Sequence, residues 1–209
     1  MPPYSALRSL AAVFLLFCTF AGGCSPTTAL PALPADAVVL AFGDSITYGT
    51  GAAAQESYPA VLAVLINRRV VNAGVPGEIT SEGLARLPEV LDREKPALLI
   101  LCHGGNDILR HLDERQTAEN LRAMVRLARE RGIAVVLLGV PAFSLSLTPP
   151  PFYREVATET GIPFDGKSLP RILGKGSLKS DYIHPNAAGY RELAQAVAKL
   201  LRKNGALPS

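Results

Sequence analysis

The segment AFGDSITYGTG, residues 41–51, places Ser45 in a glycine-rich turn directly after a short apolar run. A serine hydroxyl is a good nucleophile only where a neighbouring base takes its proton and a third group orients that base. The glycines fit neither a phosphate-binding loop nor a dinucleotide fingerprint, and Thr47 stands where the elbow of α/β-hydrolases requires glycine. Ser45 is therefore either a helix cap or a nucleophile whose base comes from elsewhere.

Only three histidines can supply that base: His103, His111 and His184. His184 follows Asp181 by three residues, and residues three apart on one turn share a side. The Asp181 carboxylate can then accept from one ring nitrogen while the other faces Ser45. His111 lies in a charged stretch and is expected to be solvated. His103 follows an apolar run and remains an alternative base, although a role in the pocket wall or behind the site fits it better.

The rest of the chain predicts the elements that would position these residues. Continuous apolar runs are typical of parallel strands covered on both faces, and amphipathic segments of helical length separate them. Thr80 or Ser81, and Thr117, are candidate helix N-caps. We predict a three-layer α/β/α sandwich around a parallel sheet of about five strands. The predicted strands are residues 37–42, 69–73, 97–102, 133–140 and 161–165.

In open parallel sheets, chemistry gathers at the carboxyl ends of the strands. Ser45 follows the first predicted strand, Gly74 ends the second, and residues 103–107 follow the third. These loops are expected to meet at one edge of the sheet.

Four short blocks then resemble the SGNH (GDSL-type) hydrolase family in the family's own order. They are GDSIT at 43–47, NAG at 72–74, GGND at 104–107 and DYIHPN at 181–186. The resemblance covers essentially residues 38–203, and GLARLPEVL leading to GGNDILR is most similar to the branch with acyl-CoA thioesterase I, lysophospholipase and arylesterase. Although each block alone has a plain structural explanation, the blocks together point to a hydrolase.

The resemblance implies a role for each residue. Ser45 would be the nucleophile, with His184 as the general base and Asp181 as the residue that orients it. The N–H groups of Ser45 and Gly74 and the side-chain amide of Asn106 would form the oxyanion hole. Tyr48, His103, Leu109 and Phe143 are candidates for the acyl pocket or its wall.

The implied function is a serine esterase that cleaves acyl or aryl esters, lysophospholipids or acyl thioesters through an acyl-enzyme, with no metal and no cofactor. Two alternatives stay open. One is a carbohydrate O-acetyl esterase of the same fold, and the other is a non-catalytic lipoprotein that binds acyl chains or glycans. The charge of +3 is scattered without basic runs, which argues against a nucleic-acid partner. A monomer is expected.

The N-terminal region predicts export. Residues 1–23 read as a signal peptide, because the apolar run is too short for a spanning helix. The residues AGGC at 21–24 resemble a lipobox, which makes Cys24 the candidate lipidation site. Residues 24–36 would hold the lipid and form a proline-rich tether, and residues 37–205 the catalytic domain. Ser25 is compatible with outer-membrane sorting, although a periplasmic or secreted protein cleaved without lipid is the alternative. Cys102 is expected to be a buried apolar residue.

Overall fold

The computed structural model of the protein describes residues 29–142 and 146–208. The strands are β1 (Val38–Gly43), β2 (Arg69–Gly74), β3 (Leu98–Cys102), β4 (Ala134–Leu138) and β5 (Phe164–Asp165). All five are parallel and form one sheet in the order β2-β1-β3-β4-β5. This confirms the predicted sheet, including its number of strands.

The apolar runs form the buried centre of this sheet. Every residue of β3 is buried, as a strand covered on both faces requires. The last strand is shorter than the predicted 161–165. Pro163 has no N–H to donate to a ladder, and its carbonyl accepts from Leu137 N at 2.9 Å just before the paired segment begins.

Helices cover both faces of the sheet, as predicted. They are α1 (Ser45–Tyr48), α2 (Tyr58–Ile66), α3 (Thr80–Glu94), α4 (Gly105–Leu109), α5 (Glu114–Glu130), α6 (Pro151–Thr160), α7 (Ser168–Leu173) and α8 (Ala187–Lys203). Short 3-10 turns occur at Ala54–Glu56 and Gly176–Leu178. In one layer α8 packs against α2 and α7, and in the other α5 packs against α3 and α6.

Two predicted helix caps are wrong. Helix α5 begins at Glu114, and its N-cap is Asp113, whose carboxylate accepts from Arg115 N; Thr117 lies inside the helix. Helix α3 has Ile79 at its N-cap position, and Thr80 is its first residue. Both threonines instead bond to Asp107, which is described with the site.

The folded domain extends beyond the predicted limits of 37 and 205. Leu30 N donates to Asn204 O at 2.7 Å, and Leu33 N donates to Ala206 O at 2.9 Å. The side chains of Leu33, Ala206 and Leu207 are buried. Apolar contacts and these two backbone bonds therefore attach residues 30–36 to the domain, and the part of the predicted tether from residue 30 onward is not free. Cys24 lies outside the described residues.

The register of the sheet brings three loops to the same level. Gly43, the last residue of β1, pairs with Gly74 of β2 and with Cys102 of β3. Because β1 lies between β2 and β3, the chain changes direction across the sheet here, and such switch points open a crevice for ligands. Over residues 29–142 and 146–208, no helix combines the length and apolar character of a membrane span.

Candidate active site

Ser45 occupies the first position of α1, immediately after β1. Asp44 caps this short helix, since its Oδ1 accepts from Ile46 N at 3.1 Å. The Asp44 side chain is buried. Burial raises the pKa of its carboxyl group, although His103 and the N–H groups of Ile46 and Gly105 partly offset that rise. The buried Asp44 side chain therefore fixes the turn that presents Ser45.

Ser45, His184 and Asp181 form a continuous chain of hydrogen bonds. His184 Nε2 lies 2.9 Å from Ser45 Oγ, and His184 Nδ1 lies 2.8 Å from Asp181 Oδ2. Asp181 Oδ1 also accepts from the backbone N–H groups of Ile183 and His184, both at 2.8 Å. An ionised Asp181 accepts the proton on Nδ1, so Nε2 is left to accept from the serine hydroxyl.

The charge state of Asp181 favours this arrangement. Partial burial alone would raise the pKa of its carboxyl group. Hydrogen bonds from the His184 ring and from the N–H groups of Ile183 and His184 outweigh that effect and lower the pKa below its ordinary value of 3.8. Asp181 therefore stays ionised at neutral pH, even though about half of its side chain is exposed.

The loop that carries His184 and Asp181 is held at both ends. Lys179 pairs with Pro185 in an antiparallel bridge, and Ser180 N donates to His184 O at 3.0 Å. Asn186 caps α8 by accepting from Gly189 N at 3.0 Å, and its amide donates to Ser177 O at 3.0 Å. A tight turn anchored to a long helix thus positions the base.

Asn106 lies in the first turn of α4 and lines the same small cavity as Ser45 and His184. Its Nδ2 donates to Glu78 O at 2.9 Å. A side-chain amide carries two hydrogens, so one of them stays available for a ligand oxygen.

Gly74 departs from the expectation that its N–H is a free donor. That N–H is already donated to Asn72 Oδ1 at 3.0 Å. A Cβ atom at Gly74 would lie 2.1 Å from Tyr48 N, so glycine is required here because the end of β2 packs directly against α1. The position is structural in this conformation.

Gly77, and not Gly74, has a backbone N–H that is available as a donor. It is exposed, and its φ of 80° is a conformation that favours glycine. Among the described residues its N–H has no hydrogen-bond partner, while Arg110 Nη2 holds its carbonyl at 2.8 Å. The following residue, Glu78, provides the carbonyl that holds Asn106. The sequence carries this glycine in VPGE at 75–78, three residues after Gly74.

His103 does not line the cavity at Ser45, and its burial keeps it from acting as the base. Its side chain has no exposed surface, and its Nε2 lies 3.0 Å from Glu78 Oε2. It follows the buried strand β3, and its ring lies 6.0 Å from the Phe42 ring, centroid to centroid. His111 is exposed, as expected. Cys102 is fully buried, and burial raises the pKa of its thiol well above the ordinary value, so it is an inert core residue.

Two of the other pocket candidates face solvent near the site. Leu109 lines the cavity at Ser45, which has a volume of only about 10 Å³. Tyr48 lines a different groove of about 350 Å³, together with Asn72 and Gly74. Both side chains are exposed, Tyr48 to 56%. Phe143 lies outside the described residues.

Asp107 is a structural residue that the sequence did not single out. It is buried and accepts from Thr80 N at 2.9 Å and from Thr80 Oγ1 at 2.5 Å. Thr117 Oγ1 donates at 3.4 Å to Asp107 Oδ1, the oxygen that also accepts from Thr80 Oγ1, and Asn120 Nδ2 donates to Thr80 Oγ1. These bonds join α3, α4 and α5, and they fix the helix that carries Asn106.

Comparisons with known proteins agree with this geometry. The model of the GDSL-like Lipase/Acylhydrolase family matches residues 41–192. The chain is 32% identical to Esterase TesA of Pseudomonas aeruginosa over 86% of this chain and 95% of that protein. It is 28% identical to the Escherichia coli protein named thioesterase 1/protease 1/lysophospholipase L1, over 91% of this chain and 90% of that one.

Solved structures lead to the same family. The crystal structure of TesA superposes with a TM-score of 0.70 at 31% identity and covers 79% of this chain and 98% of that one. AlinE4, an SGNH-hydrolase family esterase, superposes with a TM-score of 0.63 at 31% identity, over 82% and 98% of the two chains. The chain belongs to the GDSL-like lipase/acylhydrolase family and is a serine hydrolase of that family.

Proposed function

We propose that the protein hydrolyses carboxylic esters or thioesters with Ser45 as the nucleophile. The observation that carries this proposal is the unbroken chain from Ser45 Oγ to His184 Nε2 at 2.9 Å and from His184 Nδ1 to Asp181 Oδ2 at 2.8 Å. A serine activated by a neutral imidazole, itself oriented by a carboxylate, is the arrangement that acyl transfer requires.

The reaction proceeds in two halves. Ser45 Oγ attacks the carbonyl carbon while His184 Nε2 takes the hydroxyl proton, and Asp181 stabilises the resulting imidazolium. The tetrahedral intermediate collapses, and His184 gives its proton to the leaving alcohol or thiol. Water, deprotonated by the same histidine, then attacks the acyl-serine. The bond from the acyl carbon to Ser45 Oγ breaks, His184 returns the proton to Ser45 Oγ, and the acid is released.

The oxyanion is stabilised by donors on three loops. We assign them to the N–H of Ser45, the N–H of Gly77 and the second amide hydrogen of Asn106. This assignment replaces Gly74, because its N–H is already donated to Asn72. Fixed donors in a partly dry cleft stabilise developing negative charge without reorganising at the moment of reaction.

The shape of the site supports small or medium esters. Leu109, Val140 and Ile183 give the cavity at Ser45 apolar walls. The relatives named esterase, arylesterase and thioesterase/lysophospholipase support acyl and aryl esters or thioesters as the substrate class. The small cavity is equally suited to an acetyl group, which keeps a carbohydrate O-acetyl esterase as the second candidate.

A panel of substrates and one variant test the proposal. Wild-type protein is assayed on p-nitrophenyl esters from acetate to dodecanoate, on an acyl-CoA and on acetylated xylan. Preference for medium acyl or aryl esters supports the first candidate, and preference for acetylated sugar supports the second. If Ser45→Ala hydrolyses p-nitrophenyl butyrate at the wild-type rate, Ser45 is not the nucleophile and the proposed mechanism is refuted. Absence of turnover of every ester by folded wild-type protein would instead favour the non-catalytic alternative.

We further propose that the enzyme is exported as a monomer and held to a membrane by lipid on Cys24. The support is the sequence pattern of residues 1–24. Leu30 is already bonded to the domain at the C-terminal end of α8, which is the end remote from His184. The five residues 25–29 between Cys24 and Leu30 would therefore span at most about 18 Å. Mass spectrometry of membrane-fraction protein tests this: a diacylglycerol-sized mass increase should vanish in Cys24→Ala, and light scattering gives the oligomeric state.

A further inference from the structure

A buried polar cluster lies behind the loop that carries Gly77. It consists of Glu78 at the end of that loop, Arg86 on α3 and His103 after β3. Glu78 is 6% exposed and His103 has no exposed surface. Neither lines the cavity at Ser45, so the cluster does not touch a bound ester. A buried carboxylate is costly unless it is paired and fully hydrogen-bonded. The presence of one here therefore calls for a structural or functional explanation.

The partners of Glu78 satisfy both of its oxygens. Arg86 Nε donates to Oε1 at 2.5 Å and Arg86 Nη2 donates to Oε2 at 2.7 Å, a bidentate pair. The guanidinium also stacks over the Phe42 ring, 4.0 Å from its centroid. His103 Nδ1 accepts from Gly104 N at 2.9 Å, so the ring proton is on Nε2 and is donated to Glu78 Oε2. The cluster thus has one rigid arrangement, with a neutral histidine.

Two of these side chains, Arg86 and His103, hold the backbone on each side of the oxyanion donors, and the main chain of Glu78 holds Asn106. The Glu78 carbonyl accepts from the Asn106 amide at 2.9 Å. Arg86 Nη2 donates to Ala73 O at 2.9 Å, at the start of the loop that reaches Gly77. His103 accepts from Gly104 N, directly before the helix of Asn106. Both loops that supply donors to the oxyanion are therefore tied to one buried carboxylate.

We propose that Glu78, held by Arg86 and His103, is a positioning residue that fixes Gly77 N–H and the Asn106 amide for the oxyanion. This rests on the proposed serine hydrolase mechanism. The cluster acts through the donors, so its loss is expected to weaken binding of the transition state far more than binding of the ester. A misplacement of about 1 Å can cost about 10²-fold in rate.

The test compares Glu78→Gln and His103→Leu with wild type, with Glu89→Gln as the matched control. Glu89 is on the same helix as Arg86, and its side chain is 84% exposed. On p-nitrophenyl butyrate we expect kcat to fall about 10- to 10²-fold in both cluster variants, with KM changed less than about twofold, and the control to match wild type. His103→Gln, which keeps a donor toward Glu78, should recover most of the loss that His103→Leu shows.

A tetrahedral inhibitor separates positioning from a general loss of structure. In both cluster variants the inhibition constant of 1-butaneboronic acid should rise by the factor by which kcat/KM falls, while inhibition by butyrate stays unchanged. Wild-type kcat in Glu78→Gln or in His103→Leu would overturn the proposal, as would a fall in activity matched by weaker butyrate binding. If Ser45→Ala kept activity, the underlying mechanism would fail instead, which is a separate result.

Discussion

Replacing Asp181 should show that it fixes the proton on His184, because asparagine at this position is expected to be worse than alanine. Asp181 Oδ1 accepts from two backbone N–H groups, those of Ile183 and His184, at 2.8 Å each. In Asp181→Asn the amide oxygen takes that place, which turns the NH₂ group toward His184 Nδ1. The proton of the ring then moves to Nε2, where it blocks acceptance from Ser45.

The magnitude follows from these contacts. Turning the amide round would lose two hydrogen bonds of about 1 kcal/mol each, after allowance for the exposure of the group to solvent. The productive tautomer is then disfavoured by about 2 kcal/mol, which is about 30-fold in rate. Asp181→Ala has no such constraint, because about half of the Asp181 side chain is exposed and water can take its place beside Nδ1. Loss of the carboxylate itself is common to both variants.

Steady-state hydrolysis of p-nitrophenyl butyrate at pH 8 measures the difference. We expect kcat of Asp181→Asn to lie about 10⁴-fold below wild type and at least about 30-fold below that of Asp181→Ala. Thermal melting of the purified variants checks that both are folded. Equal kcat values in the two variants, or a faster Asn variant, would show that the tautomer argument is wrong.

Four further predictions follow from the site and its support. In Asn106→Ala, kcat should fall about 10²- to 10³-fold with little change in KM, measured with the same ester. Gly74→Ala should reduce the free energy of unfolding by about 2–3 kcal/mol in urea titration, because its Cβ would lie 2.1 Å from Tyr48 N and a backbone atom cannot rotate away. In a pH–rate profile, protonation of Asp181 should not reduce activity near neutral pH, because hydrogen bonds hold the pKa of its carboxyl group below 3.8. Although burial raises the pKa of Glu78, hydrogen bonds from His103 and Arg86 lower it below 4.5. The stability that ionised Glu78 contributes should therefore be complete above pH 4.5 and be lost below it. The difference in unfolding free energy between wild type and Glu78→Gln should shrink below pH 4.5.

The sheet and the catalytic chain were predictable because their signals are local. Five apolar runs define the strands, and the strand-end rule places Ser45 and the residues after β3 at one edge. Asp181 and His184 are three residues apart, so their contact depends on a single turn. The long-range contact from His184 to Ser45 followed from the resemblance to the family and from the chemistry of serine activation.

The incorrect predictions concern residues whose environment is decided by tertiary packing and not by residue type. Gly74 ends β2 and Gly77 follows three residues later, and nothing in residue type shows that Asn72 accepts from the N–H of Gly74. His103 reads as polar, yet the pairing with Glu78, 25 residues away, lets it lie fully buried. Residues 30–36 have the composition of a tether, but their leucines fill a gap at the end of α8.

Labelling with a fluorophosphonate, followed by peptide mapping, tests the central claim most directly. The reagent reacts with an activated serine and forms a stable adduct that mimics the tetrahedral intermediate. The account predicts a single adduct on Ser45 in the wild-type protein, with much slower labelling in His184→Ala and none in Ser45→Ala. An unlabelled Ser45 in folded, esterase-active protein, or an adduct on another residue, would contradict it.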